Sequence, residues 1–357
     1  MPEVYFRLHP LVLIYPATMA GKRRFIIETS SSRPPLVQKS ACIAQALVAL
    51  PNRFTADEAC RCWDGVIDGE AQVDLFEALV EEAVIIEADN VDPVVERCDV
   101  WAAYGWGEAA SFHEATRDYP FVKMDAPGAF DIDRDRMKTY VQEARPPEIY
   151  QTVEAKYSIV LPSRISPGTS ANQLLAAMTR DERRGLPGLG LFFDVCFGER
   201  RKEPFDVQGE FLRKSIPSGG ARHPTEIYFA SFEGAPIPPG SYHYNVEHHR
   251  LDCVSVGDHS KQLRHATFDL FQKFDRHPFG LIAFTSLVER AMWRYRDARS
   301  SRAVLIDIGH ALMIYRTVAQ AIGFDTYTYQ KVRDSLLCEA MGIDRLRQPA
   351  LFVGTLV

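Results

Sequence analysis

The spacing of apolar residues divides the chain into an N-terminal part and a larger C-terminal part. Short apolar runs rich in β-formers predict strands at residues 4–8, 11–15, 24–29 and 83–87. Helical periodicity predicts three helices at residues 39–49, 56–62 and 73–82. Thr55 and Glu58 have the spacing of a capping box at the start of the second helix. The order strand, three helices, strand predicts a winged-helix-like module over residues 1–90.

The rest of the chain divides into two regions that differ in composition and in predicted structure. Residues 91–155 are richer in proline, aspartate and aromatic residues and predict a linker region, whose tryptophans we expect to be core anchors. Beyond it, strands are predicted at residues 226–231, 240–245, 251–256, 281–285 and 351–356. Helices are predicted at residues 170–179, 259–274, 303–322 and 330–341. This mixture of strands and helices predicts an α+β domain over residues 156–357.

Composition narrows the function classes. With 46% hydrophobic and 25% charged residues, the chain has the composition of a soluble globular protein. A net charge of −6 argues against nucleic-acid binding. No apolar run has the length of a membrane span, and the N-terminal residues lack the pattern of a secretion signal. The seven cysteines are scattered, and their spacing suits neither a metal site nor a redox pair. We therefore expect a cytoplasmic protein with reduced thiols, no metal and no membrane association.

The most informative segment is PSGGARHPTEIY, residues 217–228. Its adjacent glycines leave bare backbone that a flat ligand can approach closely, and the following residues predict a strand. By spacing alone, a plain tight turn explains these glycines better than a ligand site does. The identities of the residues in this segment are more specific for a family than the spacing of its glycines.

Three further segments follow in order: PGSYHYN at residues 239–245, ERAMWRYR at 289–296 and DIGH at 307–310. Together with the glycine turn, they resemble the SagB-type branch of the nitroreductase-like flavoenzymes, whose members oxidise azolines in ribosomal peptides. The resemblance covers residues 156–357 and, more faintly, the region before. It implies a nitroreductase-like α+β domain and FMN as the cofactor.

The same resemblance implies roles for individual residues. Pro217, Ser218, Gly219 and Gly220 would face the flavin, and Ser163 and Arg164 would bind its phosphate. Tyr295 would be the catalytic base or its hydrogen-bond partner. Arg294 stands where active members usually have lysine, and because guanidinium stays protonated it suits charge stabilisation better than proton abstraction.

The resemblance also implies partners: a peptide substrate, a cyclodehydratase and a second copy of the chain in a homodimer. In that family an N-terminal module can bind the leader peptide as an added strand, although a packing appendage explains the module equally well.

Several alternatives stay open. The chain could be a catalytically degenerate flavin-fold protein that binds peptide or acts as a scaffold for a cyclodehydratase, or it could reduce a small nitro or enone compound. Residues 293–295 could be an aromatic core corner with a surface arginine. Asp307 and His310, three apart on a predicted helix, favour a buried pair at the helix start over a proton relay.

Overall fold

The computed structural model describes most of the chain, in two compact units of residues 1–121 and 122–357. The described residues are 3–19, 22–29, 36–38, 41–89, 93–117, 121, 125, 127–162, 165, 169–205, 207, 209–268, 270–273 and 277–357. The two units are taken in turn.

The first unit combines short antiparallel strands with helices. Its strands are β1 Phe6–Leu8, β2 Leu13–Met19, β3 Lys22–Glu28, β4 Leu36–Gln38 and β5 Ile85–Glu87. Its helices are α1 Cys42–Val48, α2 Ala56–Cys62, α3 Gly69–Glu81, α4 Pro93–Ala103 and α5 Gly107–Ala115. Strand β1 pairs with β5, and β2, β3 and β4 form a second sheet in that order. The core gathers around Trp63, whose Nε1 donates to Ala46 O at 2.8 Å.

The capping box predicted for α2 is present. Thr55 Oγ1 accepts from Glu58 N–H, and the Glu58 carboxylate accepts from Thr55 N–H. Residues 91–155, predicted as a linker, contain α4, α5 and one further helix. Trp101 is partly buried, but Trp106 is 62% exposed, so its expected role as a core anchor is wrong.

The second unit is built on a seven-stranded antiparallel sheet. Its strands are β6 Tyr157–Val160, β7 Glu199–Phe205, β8 Gly209–Lys214, β9 Thr225–Ser231, β10 Gly240–Asn245, β11 Arg250–Val256, β12 Gly280–Ser286, β13 Thr328–Tyr329 and β14 Ala350–Leu356. Its helices are α6 Ala129–Glu143, α7 Ala171–Ala177, α8 Arg180–Arg184, α9 Leu186–Phe197, α10 Ser260–Ala266, α11 Glu289–Arg294, α12 Ser301–Ile322 and α13 Asp334–Met341. The sheet order is β13-β14-β12-β9-β10-β11-β6, and β7 and β8 form a separate hairpin.

Helices cover both faces of this sheet. Alternating side chains of β9 show the division: Phe229 packs into the cluster with α9 and α12, whereas Tyr228 and Ala230 pack into the cluster with α10 and α13. Because side chains alternate along a strand, a central strand covered on both sides is apolar throughout. The predicted fold class, α+β, is confirmed.

Candidate functional site

The glycine segment forms a tight turn immediately before β9. Gly219–Ala221 is a single 3-10 turn. Gly220, Ala221 and His223 have left-handed backbone angles, with φ of 58°, 53° and 45°. This region is open to glycine but costs about 1–2 kcal/mol for a residue that carries a Cβ. Such a turn persists only if neighbouring groups hold it.

Asp307 of α12 is the group that holds the turn. Its carboxylate accepts hydrogen bonds from Ser218 Oγ at 2.6 Å and from Gly219 N–H at 3.1 Å. Ser218 Oγ in turn accepts from His223 N–H at 2.9 Å. Burial raises the pKa of Asp307, while the Ser218 and Gly219 bonds oppose that rise. The expected pairing with His310 is replaced by these bonds, and the exposed His310 acts on Asp307 through its charge.

Tyr295, the predicted base, lies against this turn. A Cβ built on Gly220 would stand 2.0 Å from Tyr295 Oη, so the hydroxyl occupies the space beside the glycine. Burial lowers the pKa of Arg222, and the Tyr295 hydroxyl, to which its guanidinium is hydrogen-bonded, opposes that shift. The Arg294 guanidinium lies 5.0 Å from the centre of the Tyr295 ring. Two cations therefore flank this phenol.

Arg294 is held by a carboxylate of α6. Its Nη2 donates to both oxygens of Asp133 at 2.7 and 2.8 Å, and the two side chains are 16% and 31% exposed. Trp293 is buried, and its Nε1 donates to Ala144 O at 2.9 Å. The aromatic corner expected in the alternative interpretation exists, but its arginine is paired instead of lying free at the surface.

A buried charged cluster lies behind the turn. Glu226 of β9, His243 of β10 and Arg290 of α11 are all less than 5% exposed. Glu226 accepts from Arg290 Nη1 and lies 3.1 Å from His243 Nε2. Burial opposes ionisation of Glu226, but the charges of Lys214 and Arg290 hold its pKa well below the usual range. Sequence reasoning missed this cluster, although a glutamate and an arginine inside apolar segments are a usable signal.

A groove runs beside α11. It encloses about 720 Å³ and is lined by Tyr150, Gln151, Met292, Trp293, Arg296 and Arg347, among others. Its walls include both apolar and charged side chains, a mixture that suits a ligand of mixed polarity such as a peptide.

The structure brings some predicted site residues together and leaves others undescribed. Ser218, Gly219, Gly220 and Tyr295 meet at the turn, Arg294 stands behind Tyr295, and Pro217 is exposed at the entrance to the turn. Ser163 and Arg164, predicted to bind phosphate, lie outside the described residues.

The described residues also bear on metal binding and membrane insertion. Among them, no three His, Cys, Asp or Glu side chains converge as metal ligands would. No helix in the described part of the chain is long and apolar enough to cross a membrane.

Comparison with known proteins identifies relatives. No family model matches the chain. It is 37% identical over 145 residues to the trifolitoxin-processing protein TfxB of Rhizobium leguminosarum bv. trifolii, and the match covers 40% of this chain but only 39% of that relative. It is 24% identical over 300 residues to the trifolitoxin operon protein TfxC of the same organism, covering 78% of this chain and 80% of TfxC.

Two solved structures share parts of the fold at low identity. A putative nitroreductase from Anabaena variabilis gives a TM-score of 0.49 at 20% identity, covering 63% of this chain and 45% of the other. A chain of the E. coli microcin synthetase McbBCD complex with truncated pro-MccB17 bound gives 0.41 at 17% identity, covering 74% and 93%. At these TM-scores the likenesses carry no argument of their own.

Proposed function

We propose that this relative of the trifolitoxin-processing proteins is an FMN-dependent oxidoreductase that dehydrogenates an azoline to an azole in a ribosomally made peptide. The observation that supports the chemistry most strongly is the placement of Tyr295 Oη against Gly220. The relationship to proteins named for processing trifolitoxin supports a peptide as the substrate.

The turn fits a flat ring system. Gly219 and Gly220 are exposed and present backbone without side chains, so a planar group can approach closely. The Asp307 bonds fix the turn before any ligand binds, which reduces the entropy lost on binding. Pro217, Ser218, Gly219 and Gly220 would line the ring of FMN, and the resemblance places Ser163 and Arg164 at its phosphate.

Azole formation removes a proton from one ring carbon and a hydride from its neighbour. When bound, FMN supplies the two-electron acceptor for the hydride, and oxygen is the final acceptor. As a phenolate, Tyr295 Oη would take the proton and become the neutral phenol, and the cations of Arg222 and Arg294 beside it favour that phenolate before the transfer. Arg294, whose donors are engaged by Asp133, positions Tyr295 and does not act as a base.

One observation favours a second candidate function. At the position where active members of the resembled family carry lysine, this chain has an arginine locked to Asp133. A guanidinium in that place cannot exchange protons near neutral pH. The alternative is a catalytically degenerate protein that binds peptide as a scaffold for a cyclodehydratase.

Cofactor binding separates the two candidates. We expect purified protein to be yellow or to become so on addition of FMN, with flavin absorbance near one equivalent. Tyr295→Phe should retain the flavin spectrum but slow azoline oxidation by about 10²- to 10⁴-fold, the usual contribution of a general base. Tyr104→Phe, an exposed tyrosine of the first unit, is the matched control. Protein that takes up no FMN would exclude the enzyme and leave the scaffold.

The first unit is proposed to recognise the leader peptide. Among the described residues, β2 pairs with β3 on one side, which leaves its other edge for an added strand. A leader peptide with a proline in its central residues should bind more weakly than the unmodified leader, measured by fluorescence anisotropy, since proline removes a ladder hydrogen bond.

A further inference from the structure

A small cavity adjoins the glycine turn, and nothing above gives it a role. It holds about 40 Å³ and is lined by Phe211, Ala221, Arg222, Arg290 and Trp293, among others. It shares Pro146, Pro147, Glu148 and Trp293 with the walls of the groove beside α11. A ligand in the groove therefore lies next to this cavity.

The guanidinium of Arg290 is incompletely satisfied. Its Nε donates to Glu148 O at 2.9 Å, and its Nη1 donates to His223 O at 2.8 Å and to Glu226. Its Nη2 is buried and has no hydrogen-bond partner among the described residues. The whole residue is 4% exposed. A buried charged donor without an acceptor costs more than the about 1–3 kcal/mol of a neutral one, so native proteins usually give it a water or a ligand.

The chemistry of the cavity favours a small monoanion. Arg290 Nη2 offers charged N–H donors that suit a carboxylate oxygen, and Arg222 adds a second cation to the wall. A water molecule needs roughly 10–15 Å³ of such space, so this cavity can hold a group of a few atoms. Glu148 and Glu210 also line the cavity, and their charges disfavour a dianion such as phosphate.

We propose that the cavity is a binding subsite for a carboxylate of the peptide substrate, an acidic side chain or the C-terminus, which accepts hydrogen bonds from Arg290 Nη2. This inference rests on the proposed function in one respect, that the substrate is a peptide. It gives the substrate a feature that the oxidation itself does not require: a carboxylate near the ring that reacts.

The test is calorimetric titration of the full-length protein with three short peptides of otherwise equal sequence. One carries a glutamate and an amidated C-terminus, the second a glutamine and a free C-terminus, and the third a glutamine and an amidated C-terminus. At least one carboxylate peptide should bind about 10-fold or more tightly than the neutral one, the range of a charge-assisted bond. The first two peptides distinguish side chain from C-terminus, and inorganic phosphate is titrated separately.

Two variants test the location. Ile149→Phe enlarges a side chain of the cavity wall that belongs to no ion pair described above, and Arg290→Gln removes the donor. In both variants the carboxylate and neutral peptides should bind with equal affinity. Arg347→Gln, on the groove wall outside the cavity, should keep the preference for the carboxylate peptide. Because Arg290→Gln also breaks the buried pair with Glu226, Ile149→Phe decides the matter if the first variant does not fold.

Three results would overturn the proposal: equal binding of charged and neutral peptides, a preference that survives Ile149→Phe, or tighter binding of phosphate that Ile149→Phe abolishes. None of these measurements needs flavin or turnover. A failure of the oxidoreductase proposal and a failure of this one are therefore distinguishable.

Discussion

Gly220 is held by two independent constraints. Its φ of 58° lies in the left-handed region, and the Tyr295 hydroxyl fills the place where a Cβ would stand. Ala221 next to it adopts φ 53° with a Cβ, which shows that the turn tolerates backbone strain at that position. The contact with Tyr295 is thus what makes glycine necessary at position 220.

Gly220→Ala should therefore lose more stability than backbone strain alone explains. Gly234→Ala is the matched control, because Gly234 has φ 87° and nothing within 4 Å of the added Cβ. Strain costs about 1–2 kcal/mol in either variant. The overlap with Tyr295 should add about 1–3 kcal/mol at position 220, measured as the free energy of unfolding in urea. Equal losses in the two variants would show that Tyr295 moves away freely.

His223, in the glycine turn, makes the free energy of unfolding depend on pH. Burial, aided by the charge of Lys214, lowers the pKa of His223 from 6.5 to about 3. In the unfolded chain the ring recovers its ordinary pKa and binds a proton that the folded state excludes. The unfolded state thus gains protons as pH falls from about 6.5 towards 3, and the free energy of unfolding falls by up to about 1.4 kcal/mol per pH unit in that window.

His223→Asn should flatten this dependence. Asparagine tolerates the left-handed backbone at φ 45° and does not titrate. Urea unfolding between about pH 7 and pH 5 should show a slope smaller by up to one proton than in the wild type. His248→Asn, at an exposed histidine, should leave the slope as it is. An unchanged slope in His223→Asn would mean that the acid sensitivity originates elsewhere.

At the scale of elements, the short helix α11 connects three parts of the site. Arg290 points its donors into the buried cluster, Arg294 pairs with α6, and Tyr295 follows the last turn and meets the glycine turn. This six-residue helix thus sets the positions of the proposed base, of the cation beside it and of the proposed carboxylate subsite. A shift of this helix would alter all three.

Arg294→Lys tests the attachment of α11 to α6. The lysine side chain is shorter, so its ammonium would stand farther from the two Asp133 oxygens that Arg294 Nη2 contacts, and we expect the free energy of unfolding to fall by about 1 kcal/mol. The matched control is Arg296→Lys, whose pair with Glu143 is more exposed and should matter less. Turnover should fall while the pH profile keeps its shape, since a positioning residue does not titrate. Higher turnover with an altered profile would instead make lysine a base at this position.

Sequence patterns predicted individual elements well where local signals were strong. Helix α12 was expected at residues 303–322 and spans Ser301–Ile322, with Gly323 left-handed at φ 103° as its terminus. The helix expected at residues 259–274 was wrong, because α10 ends at Ala266 and Phe268 takes a left-handed φ of 44°. The helical spacing of apolar residues continues past Ala266, so the spacing does not indicate this break. Strand β9 begins one residue before the predicted start and ends at the predicted residue.

At the scale of the whole molecule, four collinear segments indicated a family of peptide-modifying enzymes, and the trifolitoxin-processing protein TfxB is among the relatives of the chain. The residues of the four segments predicted that the glycine turn and Tyr295 belong to one site, and the structure places Tyr295 against Gly220. The partners of those residues could not be predicted in the same way. Asp307 lies 88 residues from Gly219, and Arg290 lies 64 residues from Glu226, so only the folded sheet shows which residues meet.

The homodimer remains a prediction, and α12 offers a surface for it. Leu305, Ile306 and Met313 are each more than 55% exposed on one side of this helix in the single chain. Leu305→Glu should shift the protein from dimer to monomer in sedimentation velocity, since burial of an apolar side chain contributes about 1.5–3 kcal/mol. Leu346→Glu, at another exposed leucine, is the control. A wild-type protein that sediments as a monomer would refute the dimer.

The hydrogen bond between Ser218 and Asp307 also indicates when the glycine turn forms during folding. Its two ends are 89 residues apart, and every strand from β9 to β12 lies between them in the chain. Closing such a contact requires α12 to have docked on the sheet, so the turn acquires its shape late in folding. Under the proposed function, a newly synthesised chain would be unable to hold flavin until this helix has left the ribosome, and flavin uptake would report completion of the fold.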